Sequence, residues 1–146
     1  MRSLPSRTTE RGFSLLELLI VVFIIGVVAA IAIPNLMNSK QAAYSASAVG
    51  SLRVIHSAEI SYRATHLQFG SFNALASSGY LTDPQLATGQ RSHYDFVINP
   101  STLSASVFEV TATPNVAPWR YYYMDASGVI RSEHGSAATA SSQPIN

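Results

Sequence analysis

The sequence predicts an α+β protein, with one long N-terminal helix followed by a small antiparallel sheet of about four strands. Two observations carry this. From Leu15 to Ile33 the chain is apolar apart from Glu17, and a helix-forming composition continues to His66. Beyond it lie short segments rich in Val, Phe, Tyr and Ile, separated by turn residues and spaced too closely for the crossovers of a parallel sheet.

The apolar run sets the first element. At ~1.5 Å per residue it matches the ~30 Å hydrocarbon core of a bilayer. A domain this small could hardly hide a helix apolar on all sides, so residues 13–34 read as a transmembrane helix. Arg2, Arg7 and Arg11 precede the run, and Lys40 is the nearest cation after it. The positive-inside bias places the N-terminus in the cytoplasm and the rest outside.

From Asn35 the helix becomes amphipathic. Tyr44, Ala48, Leu52, Ile55 and Tyr62 recur at helical spacings and mark the stripe that should pack on the sheet. Lys40, Arg53, Glu59 and Arg63 read as lying largely off that stripe. A continuous helix over 13–66 would span roughly 80 Å at ~1.5 Å per residue.

The rest divides by turn residues. Residues 67–93 carry Gly70, Gly79, Pro84 and Gly89 and read as a connection, with a short helical turn at Phe72–Ser77. The predicted strands are Tyr94–Ile98, Ala105–Ala112, Arg120–Asp125 and Gly128–Ser132. Alternation puts Val107 on one face and Phe108 and Val110 on the other, and does not choose between the faces. Residues 67–134 thus form the connection and sheet. The tail 135–146, GSAATASSQPIN, has little to bury and is expected to be flexible.

Composition removes several function classes. The chain has 146 residues, a formal charge of +1 and no cysteine, so disulfides, thiolate metal sites and a cysteine nucleophile are excluded. The near-neutral charge gives no reason to expect a specific nucleic acid partner. His56, His66, His93 and His134 lack ligand-like spacing, and Asp83, Asp95 and Asp125 form no clustered calcium motif. No metal or cofactor is predicted. No serine sits beside a plausible base, so no catalytic residue is assigned and the chain is not expected to be an enzyme. Tyr121-Tyr122-Tyr123 beside Trp119 read as strand packing, burying Tyr122 or else Tyr121 and Tyr123.

Two features at the head of the apolar run ask for chemistry. Gly12-Phe13 sits where basic residues meet hydrocarbon, and Glu17 follows four residues later inside the membrane segment. A carboxylate there is costly unless it is paired or near an interface. Arg11-Gly12-Phe13-Ser14-Leu15-Leu16-Glu17-Leu18 resembles the N-terminus of the type IV pilins and of the pseudopilins of type II secretion. The likeness is close over residues 11–38 and weak beyond them.

The resemblance implies a leader, residues 1–12, cleaved between Gly12 and Phe13 by a membrane-embedded prepilin peptidase that also N-methylates Phe13. It implies that Glu17 receives the Phe13 amine of a neighbouring subunit during assembly. Gly26 and Pro34 match family positions between which the helix is implied to unwind in the filament. Pro34 also removes a backbone donor, so the helix should kink or loosen there. The implied partners are other copies of the chain in a helical homopolymer, the pilus or secretion assembly machinery of the inner membrane, and membrane lipid before assembly. The implied role is a type IV pilus-like surface filament for adhesion or motility, or alternatively a type II secretion pseudopilin.

Two simpler readings account for less. A secretory signal could end at Ala30-Ile31-Ala32, but the new terminus would be Ile33-Pro34, and the run is long for such a signal and holds an acid. A single-pass anchor holding a binding domain explains Leu15–Ile33 but not Gly12-Phe13 with Glu17. Loss of residues 1–12 would leave six cations against seven acids, a formal charge of −1.

Overall fold

The computed structural model describes residues 12–116 and 119–145; Arg2, Arg7 and Arg11 of the expected leader lie outside them. Helix α1 runs over Leu15–His66, 52 residues, against a predicted start at Phe13. It opens with the Leu18 N–H donating to the Ser14 carbonyl at 3.1 Å and is continuous across Pro34. The chain divides into two compact units at Ser39 and Lys40. In the first unit the described residues beyond Ser14 all belong to α1.

The second unit is an α+β domain built on the rest of α1. Ala48, Leu52 and Ile55 are fully buried and Tyr62 nearly so, while Tyr44 is half-buried against the same core. This is the predicted stripe. Glu59 departs from expectation: it lies on the buried face and is 0% exposed. Its spacing explains why, since position 59 falls four after Ile55 and three before Tyr62, on the same helix face. Leu67 then ends α1 at φ 60°, its N–H donating to the Arg63 carbonyl at 2.8 Å. Glycine is the usual residue at such a left-handed cap.

Two short helices follow. Helix α2, Phe72–Ser77, coincides with the predicted turn and is capped by Ser71, whose Oγ accepts from Ala74 N at 3.3 Å. Helix α3, Pro84–Ala87, was not expected from the sequence. Asp83 caps it, taking Gln85 N at 2.9 Å and Leu86 N at 3.1 Å, with Pro84 in the first turn. The two helices bury Leu75 and Leu86.

The sheet has six strands in the order β1-β2-β3-β4-β5-β6, every neighbouring pair antiparallel. They are β1 Gln90–Arg91, β2 Tyr94–Ile98, β3 Glu109–Pro114, β4 Arg120–Asp125, β5 Ile130–His134 and β6 Gln143–Pro144. Strands β2 and β4 have their predicted bounds. The strand expected from Ala105 starts later because Ser104 turns the chain: its Oγ accepts from Ser106 N and Val107 N at 3.3 and 3.1 Å. The two additional strands are two-residue edges without apolar content, which leave no periodic signal. Strand β6 also corrects the expected flexible tail, since Ala138 and Ser142 are buried and Ile145 N donates to the Ile130 carbonyl at 2.9 Å.

The sheet's packing face is now defined. Phe108, Val110, Ala112, Tyr122 and Met124 join the core, whereas Val107 is exposed. Gly89, at φ 78°, closes the approach to β2: a Cβ there would lie 2.8 Å from the Phe96 carbonyl oxygen. Leu52 sits at the centre of the helix stripe, so Leu52→Ala should destabilise the domain by about 2–5 kcal/mol. Thermal unfolding followed by circular dichroism checks this, and an unchanged midpoint would contradict the packing described.

Candidate functional site

The residues singled out by sequence lie along the first part of α1. Gly12, Phe13 and Ser14 precede the helix, and Glu17 is the acid of its first turn, exposed and favourably placed at the positive end of the helix dipole. Phe13 is 75% exposed. From Leu15 to Met37 the large apolar side chains are all exposed, from 44% at Val21 to 81% at Leu15. By length and composition this helix can cross a membrane.

Gly26 and Pro34 both lie inside α1. A methyl group at Gly26 would meet no atom within 4 Å, so nothing within the chain requires glycine there. Glycine in a helix interior is about 1 kcal/mol worse than alanine. Its use therefore asks for a reason outside the isolated fold.

In the second unit an aromatic cluster joins α1 to the sheet. Tyr44 stacks on Trp119 at 5.3 Å and meets His93 edge-on at 4.7 Å; Tyr94 lies 5.9 Å from Tyr122. The Tyr94 hydroxyl donates to the Arg120 carbonyl at 2.9 Å. On the other sheet face Tyr123 donates to Glu109 Oε1 at 2.9 Å, and burial with Glu109 beside it pushes its phenol up to about 12. The Tyr44, His93, Tyr94, Trp119 and Tyr122 rings fill space against one another, which is a packing role.

The helix end holds what the sequence did not disclose. Glu59 Oε2 accepts from Gly70 N at 2.8 Å, while Oε1 is buried with no hydrogen-bond partner among the described residues. Burial pushes this carboxyl up from 4.5 to about 7, and the Gly70 N–H pulls the other way. Three rings crowd nearby: Tyr62 stacks on His66 at 4.0 Å, and Tyr80 meets Tyr62 edge-on at 5.9 Å. Among the described residues no group of three or more His, Cys, Asp or Glu converges where a metal could sit.

Known proteins bear on the N-terminal segment. Residues 7–33 match the family model described as the prokaryotic N-terminal methylation motif. Over that segment the chain is similar to pilins and pseudopilins. Type II secretion system core protein G of Escherichia coli is 36% identical over 64 residues, which is 44% of this chain and 44% of that protein. Core protein G of Dickeya chrysanthemi is 42% identical over 48 residues, covering 33% of this chain and 31% of the relative. Type IV major pilin protein PilA of Myxococcus xanthus is 39% identical over 63 residues, 43% of this chain and 29% of PilA. The chain therefore matches less than half the length of these relatives.

Because Gly26 has open space around it, Gly26→Ala should leave the amount of the protein in membrane fractions unchanged while stiffening α1. Immunoblots of membrane fractions test this; a large loss of protein would show that Gly26 is needed for the fold itself.

Proposed function

We propose that this protein is a filament subunit that polymerises through its N-terminal helix after a prepilin peptidase removes residues 1–12. The observation that carries the reading is the exposed apolar surface of α1 directly behind a prepilin-type Gly12-Phe13 junction. In the precursor, lipid covers this helix, with the N-terminus cytoplasmic and the sheet domain outside. After extraction the same segment of other copies replaces lipid. Burying ~20 apolar side chains at ~1.5–3 kcal/mol each gives tens of kcal/mol gross, which exceeds typical association costs. Such a contact is heterologous and open-ended, the kind that builds fibres.

Glu17 and Phe13 supply register. Cleavage leaves an α-amino group on Phe13, and peptidase methylation keeps it basic. In a low-dielectric filament core an unpaired Glu17 carboxylate is costly, and the incoming amine of a neighbour relieves that cost. The pair then sets axial position more than bulk stability. Gly26 and Pro34 bound the stretch that loosens on assembly, which gives Gly26 the role that the isolated fold does not.

Two destinations fit such a subunit. One is a surface fibre for adhesion or motility, supported by the similarity to the Myxococcus pilin. The other is a type II secretion pseudopilin, supported by the similarity to core protein G of Escherichia coli. Deletion of the gene separates them: loss of fibres from sheared cell surfaces with normal secretion supports the first, and intact fibres with blocked secretion support the second. Glu17→Ala should leave the precursor in the membrane but lower filament yield at least tenfold, about 1.4 kcal/mol or more of assembly free energy. Normal filament yield from this variant would remove Glu17 from the mechanism.

A further inference from the structure

The Glu59 carboxyl lies where α1 hands over to the connection, and among the described residues it is the only acidic side chain bonded to the backbone of residues 67–71. We propose that Glu59 is a proton-operated latch. As a neutral acid it holds Gly70 and residues 67–71 against the end of α1; when it ionises, that connection opens. The proposal is independent of the filament reading.

The geometry provides both the latch and the reason it can release. Gly70 N donates to Oε2 at 2.8 Å, and its backbone lies close against Tyr62, where a Cβ would be 3.0 Å from the ring and the ring would have to give by a few tenths of an ångström. Three residues before Gly70, Leu67 holds a left-handed φ of 60°, a conformation unfavourable for a residue with a side chain. Next to Gly70, Phe69 is tied down by its N–H to the Ser104 carbonyl at 3.1 Å and by the Arg63 guanidinium 5.1 Å from its ring centre. Opening would relax Leu67 and bring water to Glu59.

The surroundings make the proton matter. Among the described residues the titratable groups around this end are His56, Tyr62, Arg63 and His66 on α1 and Tyr80 from the connection after α2, and none of these forms a hydrogen bond or ion pair with Glu59. An ionised Glu59 would keep one donor, Gly70 N, and leave Oε1 without any. One charge-assisted bond does not replace the hydration of a carboxylate. Burial accordingly raises the carboxyl from 4.5 to about 7.

The sign follows from linkage. The closed connection binds the proton more tightly than the open one, so closure is fully favoured below about 4.5 and weakens until pH passes about 7. Between about pH 5.5 and pH 8 the opening constant should rise roughly 25-fold if opening returns Glu59 to its ordinary value.

Amide hydrogen exchange on the full-length protein in detergent micelles, corrected for intrinsic rates, reads this opening directly. Protection of Phe69 and Gly70 should fall roughly 25-fold from about pH 5.5 to pH 8, with a much smaller change in the β3–β4 ladder. Glu59→Gln, which keeps an acceptor for Gly70, should flatten the profile. An equal fall in Glu59→Gln, or an equal fall throughout β3–β4, would overturn the latch. Should Glu59→Gln fail to fold, the 13C shift of the wild-type Glu59 carboxyl decides: a midpoint near 7 is expected, and one near 4.5 overturns the proposal.

Discussion

The structure depends on a helix that its own chain does not cover. From Leu15 to Ile33 the side chains are apolar all round and remain exposed. Water cannot be their lasting environment, because exposing so much apolar surface is unfavourable in proportion to its area. The proposed function gives that place to lipid and then to like helices, and the methylation motif over residues 7–33 sits at the end of the helix where a switch between the two would be set.

The second part of α1 solves the opposite problem. Its apolar residues form a stripe, and the six-stranded meander supplies a matching face through Phe108, Val110, Tyr122 and Met124. One helix therefore carries two kinds of surface in series, with the compact units meeting at Ser39 and Lys40. The connection after His66 is where the domain departs from plain packing. There a left-handed leucine, a glycine pressed on a tyrosine and a buried acid share a few residues.

Much of this was legible in the sequence because it rests on periodicity. The stripe Ala48, Leu52, Ile55 and Tyr62, helix α2, and strands β2 and β4 all follow from patterns that local residues repeat. What escaped depends on contacts distant in sequence. Strands β1 and β6 are too short and polar to show a period, and Ser104 delays β3 through a side-chain turn. Glu59 reads as lying largely off the stripe because acids are seldom buried, yet its spacing from Ile55 and Tyr62 places it on the buried face. Gly12, Phe13 and Glu17 were identifiable only as a motif. Their individual environments in the isolated chain are simply exposed.

A helical reconstruction of sheared filaments by electron cryomicroscopy tests the central claim most directly. The account predicts Phe13–Ile33 in the filament interior, each copy packed on the same segment of its neighbours and shielded from water. Filaments in which that segment lies on the outer surface, or from which it has been removed, would contradict it.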